Sequence, residues 1–204
     1  MFKFSEGQNK VKNGSNFAED IFDWMSLSEI PIYSYNKLRS NIELPSMCII
    51  KEDVYVPALK AFSNRTNSKA KADGCLYKDG EVVHRFEFRV NNNSGTTDEK
   101  LPAAYDKYSL TTVPAPATII CGGAGTDTAL VRYFSNRAED MNNAVVENFM
   151  KFIPSKVKII TVNELCDNFI EIINNTGYQL SAEIIENLQN GNSFFLEPHY
   201  VLEI

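Results

Sequence analysis

Two acids and one base stand at spacings that could do chemistry. They are Asp73, followed by Gly74, and Glu87 and Arg89 in the run Glu87-Phe88-Arg89. Side chains repeat every second residue along a strand, so Glu87 and Arg89 project from one face. Paired carboxylates on such a face suit a hard divalent cation such as Mg²⁺. That ion takes carboxylate oxygens, keeps several waters and bridges to a substrate phosphate. A neighbouring cationic side chain can hold the attacked phosphate or orient the water. The plainer alternative is a turn-capping Asp73 and a surface Glu87 paired across the strands with Arg85 or Arg89.

Whether Asp73 can join Glu87 depends on the turn between them. The sequence predicts a hairpin with arms at 72–77 and 81–90 around Lys78-Asp79-Gly80. A two-residue Asp79-Gly80 loop in a regular ladder would pair Asp73 with Phe86 and send its side chain to the wrong face. A three-residue loop, with Gly80 in the left-handed conformation, would pair Asp73 with Arg85 on the face of Glu87. A shared site therefore requires an odd-length loop or a bulge in one arm. The second arm alternates, with His84, Phe86, Phe88 and Val90 on one face and Val83, Arg85, Glu87 and Arg89 on the other.

The surrounding elements follow from periodicity. Residues 16–28 predict an amphipathic helix with Phe17, Ile21, Trp24, Met25 and Ser28 on one side. Asn16 and Glu19 have capping-box spacing. A short helix is expected at 34–40 and one or two strands at 47–56. Thr96 and Glu99 predict a helix start, with the helix over 97–108 bent or delayed by Pro102. Strands are predicted at 117–121 and 156–162, with one long helical stretch covering 128–134 and 138–152 and another helix at 163–174. A last strand is expected at 200–204. Hairpins come first and strands alternate with helices after residue 100. That order gives an α/β (α+β) fold with a central mixed β-sheet flanked by helices.

The 204 residues suit a single domain, with a core at about 47–174 and an N-terminal helical segment at 16–45. No apolar run approaches the ~20 residues a membrane helix needs, and no h-region marks a signal peptide. A cytoplasmic protein without a membrane partner is the expectation. Cys48, Cys75, Cys121 and Cys166 are scattered, which fits buried thiols rather than a zinc site. The net charge of −6 argues against a nucleic-acid partner when taken alone. Basic residues do gather locally, however, at Lys60, Arg65, Lys69 and Lys71, with no acid between Lys60 and Asp73. That stretch reads either as a solvated loop or as a phosphate-contacting one.

The run Lys69-Ala70-Lys71-Ala72-Asp73-Gly74, the hairpin, and Glu87-Phe88-Arg89 together resemble the motif of the PD-(D/E)xK nucleases. The segment from Asn91 through Ser94-Gly95-Thr96-Thr97-Asp98-Glu99-Lys100-Leu101-Pro102 is similar to the loop and helix after that motif in type II restriction-endonuclease-like members. The strands Thr118-Ile119-Ile120-Cys121 and Val157–Val162 fit the same branch. The resemblance covers roughly residues 65–165. It implies a restriction-endonuclease-like core in which Asp73 and Glu87 bind one or two Mg²⁺ ions, with Mn²⁺ as a substitute. It also implies cleavage of double-stranded DNA and, for a palindromic target, a homodimer. Lys69, Lys71, Asn91 and Lys100 would contact the DNA. An acid from the first helix often joins such sites; Glu19, Asp20, Asp23 and Glu29 are the candidates, with Glu29 preferred. The motif's usual lysine is Arg89 here. A guanidinium does not give up its proton, so it can clamp phosphate but not serve as a general base.

Arg89 motivates a second reading, a nuclease-like fold that binds DNA without cutting it. A third comes from Gly122-Gly123-Ala124-Gly125-Thr126, which lies between a strand and a helix as phosphate-cradling loops do. It lacks both the GK[ST] and GxGxxG patterns, so it reads more simply as a tight turn. His84 shares an apolar face with Phe86 and Phe88 and is expected to be a core histidine. With His199 as the other histidine, no hydrolase triad is suggested.

Overall fold

The computed structural model describes residues 14–34, 44–51, 54–55, 70–90, 101–102, 104–105, 108, 115–123, 128–143 and 156–196. The expected elements at 35–40, 97–100, 144–152 and 200–204 lie outside these residues.

Helix α1 spans Gly14–Met25 and runs into a 3-10 turn at Ser26–Ser28. Its predicted face is the buried one: Phe17, Ile21, Trp24 and Met25 are all fully covered. Asn16 lies inside the first turn, because the helix is already formed at Gly14, so it is not the cap expected from its spacing.

Among the described residues, six strands form the main sheet. They are β1 (Ile32–Ser34), β2 (Met47–Lys51), β5 (Gly74–Lys78), β6 (Glu81–Val90), β7 (Ala117–Gly122) and β8 (Val157–Thr161), hydrogen-bonded in that order. A separate two-stranded ribbon pairs β3 (Val54–Tyr55) with β4 (Ala70–Lys71). The segment β2-β5-β6 is antiparallel, whereas β6-β7-β8 is parallel, as is β1 with β2. The sheet is therefore mixed, as the change from hairpins to helical crossovers implied. Every residue of β7 is buried, which explains its unbroken apolar run between two parallel neighbours.

Helices cover both faces, giving an α/β fold. On the first face α1 packs with α3 (Leu165–Asn175) and α4 (Ala182–Asn192) over Ile49, Leu76, Phe86, Phe88, Ile120 and Ile160. On the second, the helical residues Leu101, Ala104, Tyr105 and Tyr108 join α2 (Thr128–Asn143) over Ala117, Ile119, Cys121, Val157 and Ile159. The long helical stretch expected over 128–134 and 138–152 is continuous across Ser135–Arg137 within α2.

Among the described residues, β1, β4 and α4 have no counterpart in the sequence reading. Helix α4 starts at Ser181, whose hydroxyl accepts from the Ile184 N–H. It is fastened to α1 where the Trp24 indole donates to the Leu188 carbonyl at 2.9 Å. Gly191 allows the contact, since a Cβ there would fall 2.5 Å from Leu27 and 3.1 Å from Trp24.

No helix among the described residues is long and apolar enough to cross a membrane.

Candidate functional site

The hairpin meets the geometric requirement by the second of the two routes. Its turn is the two-residue one. Asp79 and Gly80 both have positive φ, 49° and 93°, and Lys78 pairs with Glu81. An Asp-Gly pair suits that conformation, and its twist matches the flanking strands. The expected three-residue loop does not form. Instead the register shifts between Leu76 and Tyr77: Tyr77 faces Val82, Leu76 faces His84, and Val83 is the extra residue of a bulge. Beyond the bulge Gly74 pairs with Phe86. One further step sets Asp73 beside Glu87, not opposite Arg85, and on the same face as Glu87.

Asp73 sits just before β5 and continues the ladder with its side chain. Its Oδ2 accepts the Phe88 backbone N–H at 2.8 Å. Gly74 makes this corner possible, because a Cβ there would lie 2.9 Å from the Phe22 ring of α1. Phe22 in turn stacks edge-on against Phe88 at 5.2 Å between centroids. The Gly of the Asp-Gly pair thus lets α1 press directly on the strand that carries Glu87.

Glu87 is buried, 2% exposed, so the surface glutamate of the plainer reading is not what forms. The ion pair of that reading is present. Arg89 Nη2 donates to Glu87 Oε1, Arg89 Nη1 lies 3.9 Å from Asp73 Oδ2, and the same Nη1 donates to the Phe88 carbonyl at 3.0 Å. Both carboxylates therefore converge on one cation, the chain's own guanidinium. Tyr108 donates to the other Glu87 oxygen, Oε2. Sequence reasoning missed Tyr108. The signal was the spacing of Leu101, Ala104, Tyr105 and Tyr108, which marks one buried helical stripe ending in a hydroxyl. Arg85, also 2% exposed, shares this face of β6.

The other predicted site residues do not join the cluster. Glu29 is exposed, in a left-handed conformation (φ 60°), and its backbone N–H closes the 3-10 turn on Ser26. Glu19 pairs with Lys51. Among the described residues, no group of three or more His, Cys, Asp or Glu side chains gathers as metal ligands. Lys71 is in β4, but its side chain lies outside the described set, as do Lys69, Asn91 and Lys100.

All four cysteines are free and buried. Burial pushes the Cys121 thiol up to about 12, against the opposing pull of Arg89, so it is no nucleophile at neutral pH. The glycines at the end of β7 have structural reasons, one of packing and one of backbone conformation. A Cβ on Gly122 would meet Phe17 at 2.7 Å, and Gly123 has φ 95°. Ala124 through Asp127 lie outside the described residues.

His84 is a core histidine, as expected. Its Nε2 lies 2.9 Å from Thr118 Oγ1, which donates to Asn168 Oδ1 at 3.3 Å. Burial, then Arg85 and Lys158, lower its pKa to about 3, so the ring is neutral.

The fold and this cluster define a mixed-sheet α/β protein with two carboxylates and a guanidinium at the end of its central hairpin. No protein-family model matches the chain, no curated protein matches it, and no solved structure matches it.

Proposed function

We propose that the protein is a Mg²⁺-dependent endonuclease that hydrolyses DNA phosphodiester bonds, of the PD-(D/E)xK, type II restriction-endonuclease-like kind. One observation carries the reading: the bulge at Val83 turns Asp73 and Glu87 to one face, where both reach a single cation. Oxygen donors of this kind suit Mg²⁺ or Mn²⁺. A divalent ion there would supply a water made acidic enough to attack and charge to offset that of the phosphate.

The chain's own residues account for the rest of the chemistry. Tyr108 fixes one Glu87 oxygen, and the Phe88 N–H fixes one Asp73 oxygen, so the two acids are held in place by the fold. Arg89 is partly exposed at the mouth of the cluster. Released from Glu87, its planar fork can grip the scissile phosphate through two N–H groups. Lys69, Lys71, Asn91 and Lys100 would hold the DNA backbone. The reading places the protein in the cytoplasm, acting on duplex DNA, as a homodimer where the target is palindromic.

Incubation with supercoiled plasmid and Mg²⁺ tests this. Nicked or linear product is expected, with none from Glu87→Gln. Intact plasmid across Mg²⁺ and Mn²⁺, or undiminished cutting by Glu87→Gln, would refute it.

The Arg89–Glu87 contact favours a second reading, a DNA-binding protein that does not cut. DNA retention without cleavage, with cutting gained in Arg89→Lys, selects that reading.

A further inference from the structure

A cleft of about 890 Å³ opens at the amino ends of β7 and β8, beneath the carboxyl-terminal half of α3. His84, Thr118 and Asn168 are in its wall. It is remote in the fold from the carboxylate cluster. His84 is near the start of β6 and faces the α1/α3 side, whereas Glu87 and Arg89 are near the end of β6 and face the Tyr108 side. The volume falls within the ~300–1,000 Å³ typical of small-molecule sites.

The three polar side chains are 8%, 0% and 5% exposed, on a face otherwise built from Phe86, Phe169 and Ile172. Groups buried this deeply cost stability unless they are hydrogen-bonded. They form one chain, His84 Nε2 to Thr118 Oγ1 to Asn168 Oδ1. A hydroxyl donates once. If it donates to Asn168, His84 carries its proton on Nε2, leaving the Nδ1 lone pair and the Asn168 amide N–H groups over. If the amide is flipped and the bonds reverse, His84 is left with an Nδ1–H donor and Asn168 with a carbonyl acceptor. In either case the wall of the cleft offers one donor and one acceptor side by side. Neither His84 Nδ1 nor Asn168 Nδ2 has a partner among the described residues.

The charged residues around the cleft do not cancel. Glu171 takes Lys158 at 3.0 Å, and Glu164 is held by the Thr161 N–H and hydroxyl at 2.9 and 3.0 Å. Lys78 donates to the neutral Thr176 carbonyl, and exposed Lys156 has no acid beside it among the described residues. Lys78, Lys156 and Lys158 against Glu164 and Glu171 leave the lining with one net positive charge.

We propose that this cleft binds a nucleoside monophosphate. The edge of the base would pair with His84 and Asn168, and the phosphate would lie toward Lys156 and Lys78. Every nucleobase presents a donor next to an acceptor on its pairing edge, which matches the pair in the wall. The site is separate from the carboxylates, so binding needs no metal.

Calorimetric titration of the protein in EDTA with AMP, CMP, GMP and UMP tests the proposal. Saturable binding of at least one is expected. Asn168→Ala should weaken it roughly tenfold through lost hydrogen bonds. Exposed Lys156→Ala, which leaves the core untouched, should weaken the monophosphate roughly two- to fivefold and leave the matching nucleoside unchanged. Glu87→Gln should bind as the wild type does, which keeps this site apart from the proposed nuclease centre. No saturable binding of any of the four, or full affinity in both Asn168→Ala and Lys156→Ala, overturns the proposal. Loss of binding in Glu87→Gln also overturns it, by moving the ligand to the carboxylates.

Discussion

Strand β6 carries two polar clusters on opposite faces, and they are stabilised in different ways. Glu87 and Arg89, with Asp73 alongside, form a charged group that pairs internally through the guanidinium's terminal nitrogens, while Arg89 Nε has no partner among the described residues. His84, joined to Thr118 and Asn168, forms a neutral group whose members pass one hydroxyl bond along. A charged cluster can exchange its internal cation for an external one at little cost in charge balance. A neutral chain has no charge to exchange, but it leaves a donor and an acceptor for a ligand. Burial alone therefore does not mark a site. The marker is the kind of valence that burial leaves over.

The largest effect is expected where a buried charge loses its partner. Arg89→Ala should cost about 3–5 kcal/mol in urea unfolding, because Glu87, 2% exposed, loses the guanidinium that pairs with it. A cost under about 1 kcal/mol would mean that Glu87 is solvated and that the two clusters do not differ as described. Tyr108→Phe comes next, at about 1.5–3 kcal/mol, since it removes a hydrogen bond to a charged group. On the neutral side, Thr118→Val should cost about 1–3 kcal/mol by stranding both His84 and Asn168.

A pH series separates the clusters further. The His84 pKa falls from 6.5 to about 3 on folding. Between those values the unfolded chain binds more protons than the folded one, so stability rises with pH. The histidine's contribution is lost as pH drops below 6.5 and levels off near 3, with a slope of about 1.4 kcal/mol per pH unit inside that window. His84→Gln should flatten this part of the curve, and an unchanged slope would show that the ring is not held neutral. The smallest effect is expected at the exposed pair of Glu19 and Lys51, where Lys51→Ala should cost no more than about 1 kcal/mol.

Much of this arrangement was legible in the residues. Alternation along 81–90 assigned Glu87 and Arg89 to one face and His84 to the other, because strand periodicity is local. Parity exposed the need for a bulge or an odd loop, but not its location. Val83 became the extra residue through tertiary register, which no single strand encodes. Asp79-Gly80 favoured the tight turn more strongly than the three-residue loop assigned to it. Tyr108 and the Thr118–Asn168 bond were not legible, since each joins elements distant in the chain. Helix α4 was missed because Ile184, Ile185 and Leu188 stand among Asn, Gln and Glu. Its burial depends on Trp24 reaching it across the fold.

Electron paramagnetic resonance titration with Mn²⁺ reads directly whether Asp73 and Glu87 together hold one divalent ion, as proposed. A saturable bound-Mn²⁺ signal is expected that disappears in both Asp73→Asn and Glu87→Gln and strengthens in Arg89→Gln, where the competing guanidinium is gone. Mn²⁺ that never binds, or that binds equally well in all four proteins, would contradict the proposal.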